Sequence, residues 1–209
     1  MFSLDNIQQI QQTIALFIAY VPSVTILGFF EAWMATMAGD ETAEEQGFLT
    51  LNPLKHVDLF GLIFIVLIKW GFGQRIPTNP ANIKSPYRNL KYFAVVFSKP
   101  FMSFILIIAT FISWIVFKNS ISADPSSAMI AIEWIISAFL RLNVTYFVIY
   151  TILGIANILT EFLLPDVYSR SLSVNIIVSV VFPIALYIAL QPYIYLGLEM
   201  ATKNIINLF

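Results

Sequence analysis

Cysteine is absent from this chain of 209 residues, and histidine occurs once, as His56. Without cysteine there is neither a disulfide framework nor a thiolate metal site. Charge is scarce as well: 11% of residues are charged, where a soluble domain carries about 25%. The net charge of −1 argues against nucleic acid as a partner. No serine lies near a His–acid pair in sequence, and no phosphate loop or dinucleotide fingerprint is present. No internal repeat or low-complexity tract divides the chain, so 1–209 reads as a single membrane domain. The opening MFSLDNIQQIQQ has no basic n-region, and no small-residue cleavage site follows it, so the first apolar run is expected to stay in the membrane.

Apolar residues are what the chain has in quantity. They make up 59% of it, and the mean hydropathy is +0.83. Water cannot solvate that much apolar surface, whereas a bilayer can. A spanning helix needs about 20 mostly apolar residues. Ile14 to Ala38 is such a run, interrupted by Pro22 and carrying Glu31. Leu59 to Gly73 is short for a span, so it either re-enters or packs against protein. Tyr92 to Phe117 is long enough, with Lys99-Pro100 near its start. Ala128 to Leu164 is one long helix or two, with Arg141-Leu142-Asn143 as the break. Leu172 to Leu198 is the last run, with Pro183 and Pro192 inside. The fold expected is an all-α polytopic membrane bundle of about four to six transmembrane helices.

The loops differ in charge. Gly39 to Asp58 is acidic, whereas Gln74 to Lys91 carries Arg75, Lys84, Arg88 and Lys91 and no acid. The basic loop is the one expected in the cytoplasm, because Lys and Arg bias short loops inward. Asn52 and Asn79, each before a proline, and Gly47, Gly61 and Gly73 are turn chemistry. Irregular backbone of this kind near a membrane has to be buried in protein or face water.

The same loops carry a resemblance. Gly39, Asp40, Thr42 and Ala43 are followed by Gly47, by the run Leu49 to Leu54 that contains Asn52-Pro53, and by His56, Asp58 and Gly61. Phe72-Gly73 then leads to Pro77-Thr78-Asn79-Pro80. In order and spacing this is similar to the short bacterial branch of the site-2 protease family, the intramembrane zinc metalloproteases. The likeness is strongest over 27–103. It implies a site-2 protease-like core, with these loops forming a platform beside the active site.

The family's catalytic motif is His-Glu-x-x-His on a helix. Its histidines bind one zinc, and its glutamate activates the metal-bound water. The family's spacing back from Gly39-Asp40 places that motif at Leu27-Gly28-Phe29-Phe30-Glu31, with Ala32, Trp33 and Ala35 still fitting after it. Leucine stands for the first ligand, glycine for the glutamate and Glu31 for the second ligand. A gapped register that puts Glu31 at the catalytic glutamate also has no histidine ligand. The family's third ligand, an aspartate, corresponds to the stretch Tyr150 to Thr160, where Asn157 is the nearest polar residue. His56 matches a family position that is not a ligand, and is either a pH-sensitive group or a hydrogen bond tying the loop together. The implied reading is a degenerate homologue with no catalytic residue, no metal and no cofactor. Asp166 has no matching context, and the sequon Asn143-Val-Thr lies inside an apolar run.

Ionisable residues inside membrane segments are costly and are usually paired or functional. They are Glu31, Lys69, Lys99, Glu133, Arg141 and Glu161. Lys99 stands where the family has a glycine that packs against the active-site helix. It either snorkels to the interface or pairs with Glu31 in place of the metal. The function expected is a structural or adaptor subunit of a membrane protein complex, or a binder of membrane segments that does not cleave them, in a bacterial inner membrane. The alternatives are a transporter or proton-conducting subunit, or an active protease with an atypical site.

Overall fold

The computed structural model describes residues 4–83, 86–120, 126–163 and 182–206. Among these residues the chain is all-helical, apart from one isolated antiparallel bridge between Val57 and Gly73. The helices are α1 (Leu4–Ala38), α2 (Thr42–Glu45), α3 (Leu59–Ile68), α4 (Arg88–Val96), α5 (Ser98–Ser120), α6 (Ser127–Leu163) and α7 (Phe182–Ile206). Three stretches among the described residues are long and apolar enough to cross a membrane: Ile7–Ala38, Ser98–Ser120 and Ser127–Leu159. Their outward faces present Ile14, Ile18, Phe104, Ile108 and Ile112, all exposed. An apolar exterior on this scale belongs in lipid, so the chain is a multi-pass membrane protein.

Helix α1 runs through Pro22 without ending. Proline removes one backbone donor, and the Ser23 and Thr25 hydroxyls donate to the carbonyls of Ala19 and Val21 in the same turns. Small residues at Ala15 and Ala19 let α6 approach closely. Helix α6 is a single helix of 37 residues, about 55 Å long at 1.5 Å per residue. The break considered at Arg141-Leu142-Asn143 does not occur. Asn143 is fully buried, and its amide donates to Phe139 O in its own helix and to Ser23 Oγ on α1. That contact fastens α1 to α6 and removes Asn143 from consideration as a glycosylation site.

The run Leu59 to Gly73 does not cross. Helix α3 has ten residues, about 15 Å and half a hydrocarbon core. It ends at Lys69 in the left-handed conformation, φ 60°. The chain then returns, and Gln74 N–H donates to His56 O at 2.7 Å beside the Val57–Gly73 bridge. Entry and exit therefore lie at one level. The return has no helical partners, so other groups must satisfy its carbonyls. Three tyrosine hydroxyls do so: Tyr187 donates to Ile68 O, Tyr146 to Gly71 O at 2.7 Å and Tyr20 to Phe72 O at 2.8 Å. Close passage requires glycine, since a Cβ on Gly61 would lie 2.0 Å from Phe72 O. Trp70, buried at the turn, stacks on Tyr187 at 5.0 Å.

The span expected to begin at Tyr92 begins at Ser98 instead. Pro100 in the first turn of α5 cannot donate to residue 96, and its ring crowds that carbonyl, so the helix breaks at Phe97. Residues 88–96 become the separate helix α4. Of the run Leu172 to Leu198, residues 172–181 lie outside the described residues, as do Asp166, Lys84 and the side chain of Glu161.

Candidate functional site

The turn of α1 from Leu27 to Glu31 sits between the platform loops and the start of α5. Leu27 is 1% exposed and belongs to the apolar core, so the position of the family's first ligand faces packing and not a site. Gly28 is covered by His56, and a Cβ on it would lie 2.3 Å from His56 Nδ1. The imidazole thus rests on bare backbone at the position where the resemblance would place a glutamate side chain. Its Nε2 bonds the Thr50 carbonyl at 2.7 Å, so Nε2 carries the proton. Burial pushes the His56 pKa down, and the nearby Lys99 charge adds to this. The Thr50 carbonyl and Glu31 oppose both, and the net direction is downward. His56 is therefore neutral at pH 7. Its Nδ1 is buried with no hydrogen-bond partner.

Glu31 Oε2 lies 2.6 Å from Lys99 Nζ, and both side chains are mostly buried, at 19% and 15% exposure. The ammonium also lies over the Tyr150 ring, 5.1 Å from its centroid, within cation–π range. Lys99 enters from the first turn of α5 and Tyr150 from α6, so one ion pair and one ring contact join three helices. A cavity of about 170 Å³ opens beside Glu31, lined also by Arg75, Thr78, Tyr92, Val96 and Asn157. Two of the degenerate positions, Glu31 and Asn157, converge on it, while Leu27 and Gly28 do not. Glu133 pairs with Lys118, well away from this site in sequence, and Lys69 donates to Thr13 Oγ1.

The platform is a set of interlocked turns. Gly39 adopts φ 100°, which a side chain would oppose. Asp40, fully buried, accepts from Asn79 N–H at 2.6 Å, Asn82 Nδ2 at 3.0 Å, Thr42 Oγ1 at 2.5 Å and Thr42 N–H. Burial alone would raise the Asp40 pKa, but the bonds from Thr42, Asn79 and Asn82 hold it below the ordinary carboxylate value. Asn52 and Asn79 each cap a short 3₁₀ turn that begins at the following proline, Pro53 or Pro80. Their side chains accept from Leu54 N–H and Ala81 N–H. Asp58 caps α3 by accepting from Gly61 N–H. These residues hold shape, and none presents a reactive atom to the cavity.

Sequence reasoning did not single out Tyr150 as a partner of Lys99, or Gly28 as the floor under His56. The signal for Tyr150 was a phenol inside an apolar run, which needs a polar neighbour. Packing on Gly28 has no signal in one sequence.

These residues do not fit a zinc ion. Among the described residues, no three of His, Cys, Asp and Glu come together as a group able to hold a metal. Glu31 is engaged by Lys99, and catalytic zinc takes three protein ligands. The chain is 42% identical over 71 residues to "Putative zinc metalloprotease YwhC" of Bacillus subtilis (strain 168). That match covers 34% of this chain and 32% of the relative, so the shared stretch spans about a third of that protein. No protein-family model and no solved structure matches the chain.

Proposed function

We propose that this chain is a proteolytically inactive relative of the site-2 proteases. In this reading it serves as a structural or adaptor subunit of a membrane protein complex, or holds a membrane segment beside the Glu31 cavity without cutting it. The bacterial cytoplasmic membrane is its place. One observation carries the reading: the motif position supplies Leu27, Gly28 and Glu31, and its one acid is ion-paired to Lys99 at 2.6 Å. An ammonium at that distance competes with any cation for the carboxylate. It also stands where the resemblance would put glycine against the active-site helix. The platform turns keep their shape through the hydrogen bonds of Asp40, Asn52, Asn79 and Asp58. A surface so maintained beside an apolar bundle suits binding.

The test has two arms. Gentle solubilisation of native membranes should copurify membrane proteins in fixed stoichiometry with the chain. The purified chain should hold far less than one zinc and leave a transmembrane peptide intact with zinc supplied. Stoichiometric zinc lost on Glu31→Ala, together with cleavage of the peptide, would overturn the proposal.

A further inference from the structure

We infer that the groove between the N-terminal ends of α1 and α6 binds one glycerophospholipid molecule of the adjacent leaflet. The two helices run parallel. Asn143 bonds Ser23 across an offset of 120 residues, and the same offset relates Ile7 to Ser127 and Ala15 to Ile135. Toward their middles the helices close on each other, where Ala15, Ala19, Ala138 and Leu142 are buried in one core. Toward their starts they part. A groove of about 550 Å³ opens there between residues 7–18 of α1 and 127–135 of α6. Ile14 and Ile18 on its wall are 52% and 49% exposed, so it is open to the surrounding apolar medium.

The lining changes character along its length. Gln8 and Gln11, one turn apart on α1, and Ser127 at the start of α6 form the outer end. Ile14, Ile18, Trp134 and Ile135 form the inner end. The exposed Gln9 and Gln12 and the Lys118–Glu133 ion pair lie at the level of the outer end and mark the membrane boundary. From Ile7 to Ile18 the groove is about 17 Å long at 1.5 Å per residue. One leaflet with its headgroups is about 20 Å deep, and a spanning helix needs about 30 Å. The groove therefore has the length of one lipid molecule and not of a partner helix, and it ends where α1 and α6 close. Acyl chain lies against the isoleucines and Trp134, while the amides and the hydroxyl meet the ester and phosphate oxygens. No charged side chain lines the groove among the described residues, so the lipid is held by chain and ester and not by headgroup charge. Glu31 lies thirteen residues beyond Ile18 on α1, about 20 Å along the axis, so this site is separate from the Glu31 cavity.

The test uses the full chain in detergent with phosphatidylcholine that carries a diazirine in its acyl chain, supplied at one lipid per chain. Illumination should cross-link the lipid within 7–18 and 127–135, as mapped by mass spectrometry of the digested chain. Unlabelled phosphatidylcholine and phosphatidylglycerol should compete equally. Ala131→Phe puts a ring into the groove from an exposed lining position and should lower the yield roughly ten-fold, the equivalent of about two methylenes no longer buried. Gln8→Leu with Gln11→Leu should lower it as well. Ile112→Phe, at an exposed position on α5 outside the groove, should leave it unchanged. Label spread evenly over the apolar surface, or a yield in the groove unchanged by Ala131→Phe, would overturn the inference. So would self-association of the chain that Ala131→Phe abolishes while no lipid is captured, since the occupant would then be a second copy. None of these outcomes depends on whether the chain is proteolytically inactive.

Discussion

Lys99→Met and Glu31→Gln, made singly and together, test whether the ion pair works as a unit. Removing one partner of a fully buried pair costs roughly 3–5 kcal/mol, because the other is left buried and uncompensated. Here the two side chains keep 15% and 19% exposure, which places the cost for Glu31→Gln near the lower end, about 3 kcal/mol. Lys99→Met also forfeits the contact with the Tyr150 ring, 5.1 Å from the ammonium, which adds about 1 kcal/mol. Its cost is therefore the larger, about 4 kcal/mol. The double variant leaves no orphan charge, and methionine restores apolar packing, so its cost stays below about 3 kcal/mol. The sum of the single costs would be about 7 kcal/mol, and the difference from the double is the coupling. Unfolding in mixed micelles of increasing denaturing detergent gives all three values. If the single costs add within about 0.5 kcal/mol, the two residues do not act together and Lys99 is an interfacial lysine.

Gly61→Ala should cost about 3 kcal/mol by forcing the return segment off α3, whereas Gly197→Ala, with nothing near its Cβ, should be neutral or stabilising in the same unfolding series. Tyr146→Phe should cost about 1–2 kcal/mol by stranding the buried Gly71 carbonyl, and a null result would mean that water reaches it. Asp40→Asn presents an amide to the Asn79 N–H and should cost about 2–3 kcal/mol, with faster proteolysis of the 74–83 loop as the readout. The His56 pKa is lowered on folding, so the unfolded chain binds more protons below its ordinary value of about 6.5. Stability is then fully present above that value and falls as pH drops from there toward the folded pKa; His56→Gln should flatten thermal-stability curves in that window.

The helical class, the apolar spans and the platform turns were legible because each rests on local chemistry. Asn before Pro writes its own cap, as Asn52 and Asn79 do. The continuity of α6 was not legible, because Arg and Asn in an apolar run look like a break until Ser23 supplies a partner from 120 residues away. The split at Phe97 was marked by Pro100, but hydropathy alone joined α4 to α5. Helix α3 was left open between two readings by its length, and its direction is decided by non-local groups: three tyrosines and a bare Cα at Gly61. At the site, the resemblance left Lys99 open between snorkelling to the interface and pairing with Glu31, and in the structure its ammonium lies 2.6 Å from Glu31 Oε2. The place of His56 over Gly28 follows from shape alone.

Hydrogen bonds within the chain hold the platform. Asp40 clasps the Gly39 turn to the Asn79 loop, and Asp58 starts α3. Tyr20, Tyr146 and Tyr187 hold the return segment to α1, α6 and α7. None of these bonds passes through Leu27, Gly28 or Glu31; the turn that carries them meets the platform through the packing of His56 on Gly28. Glu31 and Lys99 then have one structural duty, to join α1 and α5 across a cavity wall that α4 shares. The surface that the platform presents is thus held by its own hydrogen bonds, while the Glu31–Lys99 pair ties together the two helices beside it.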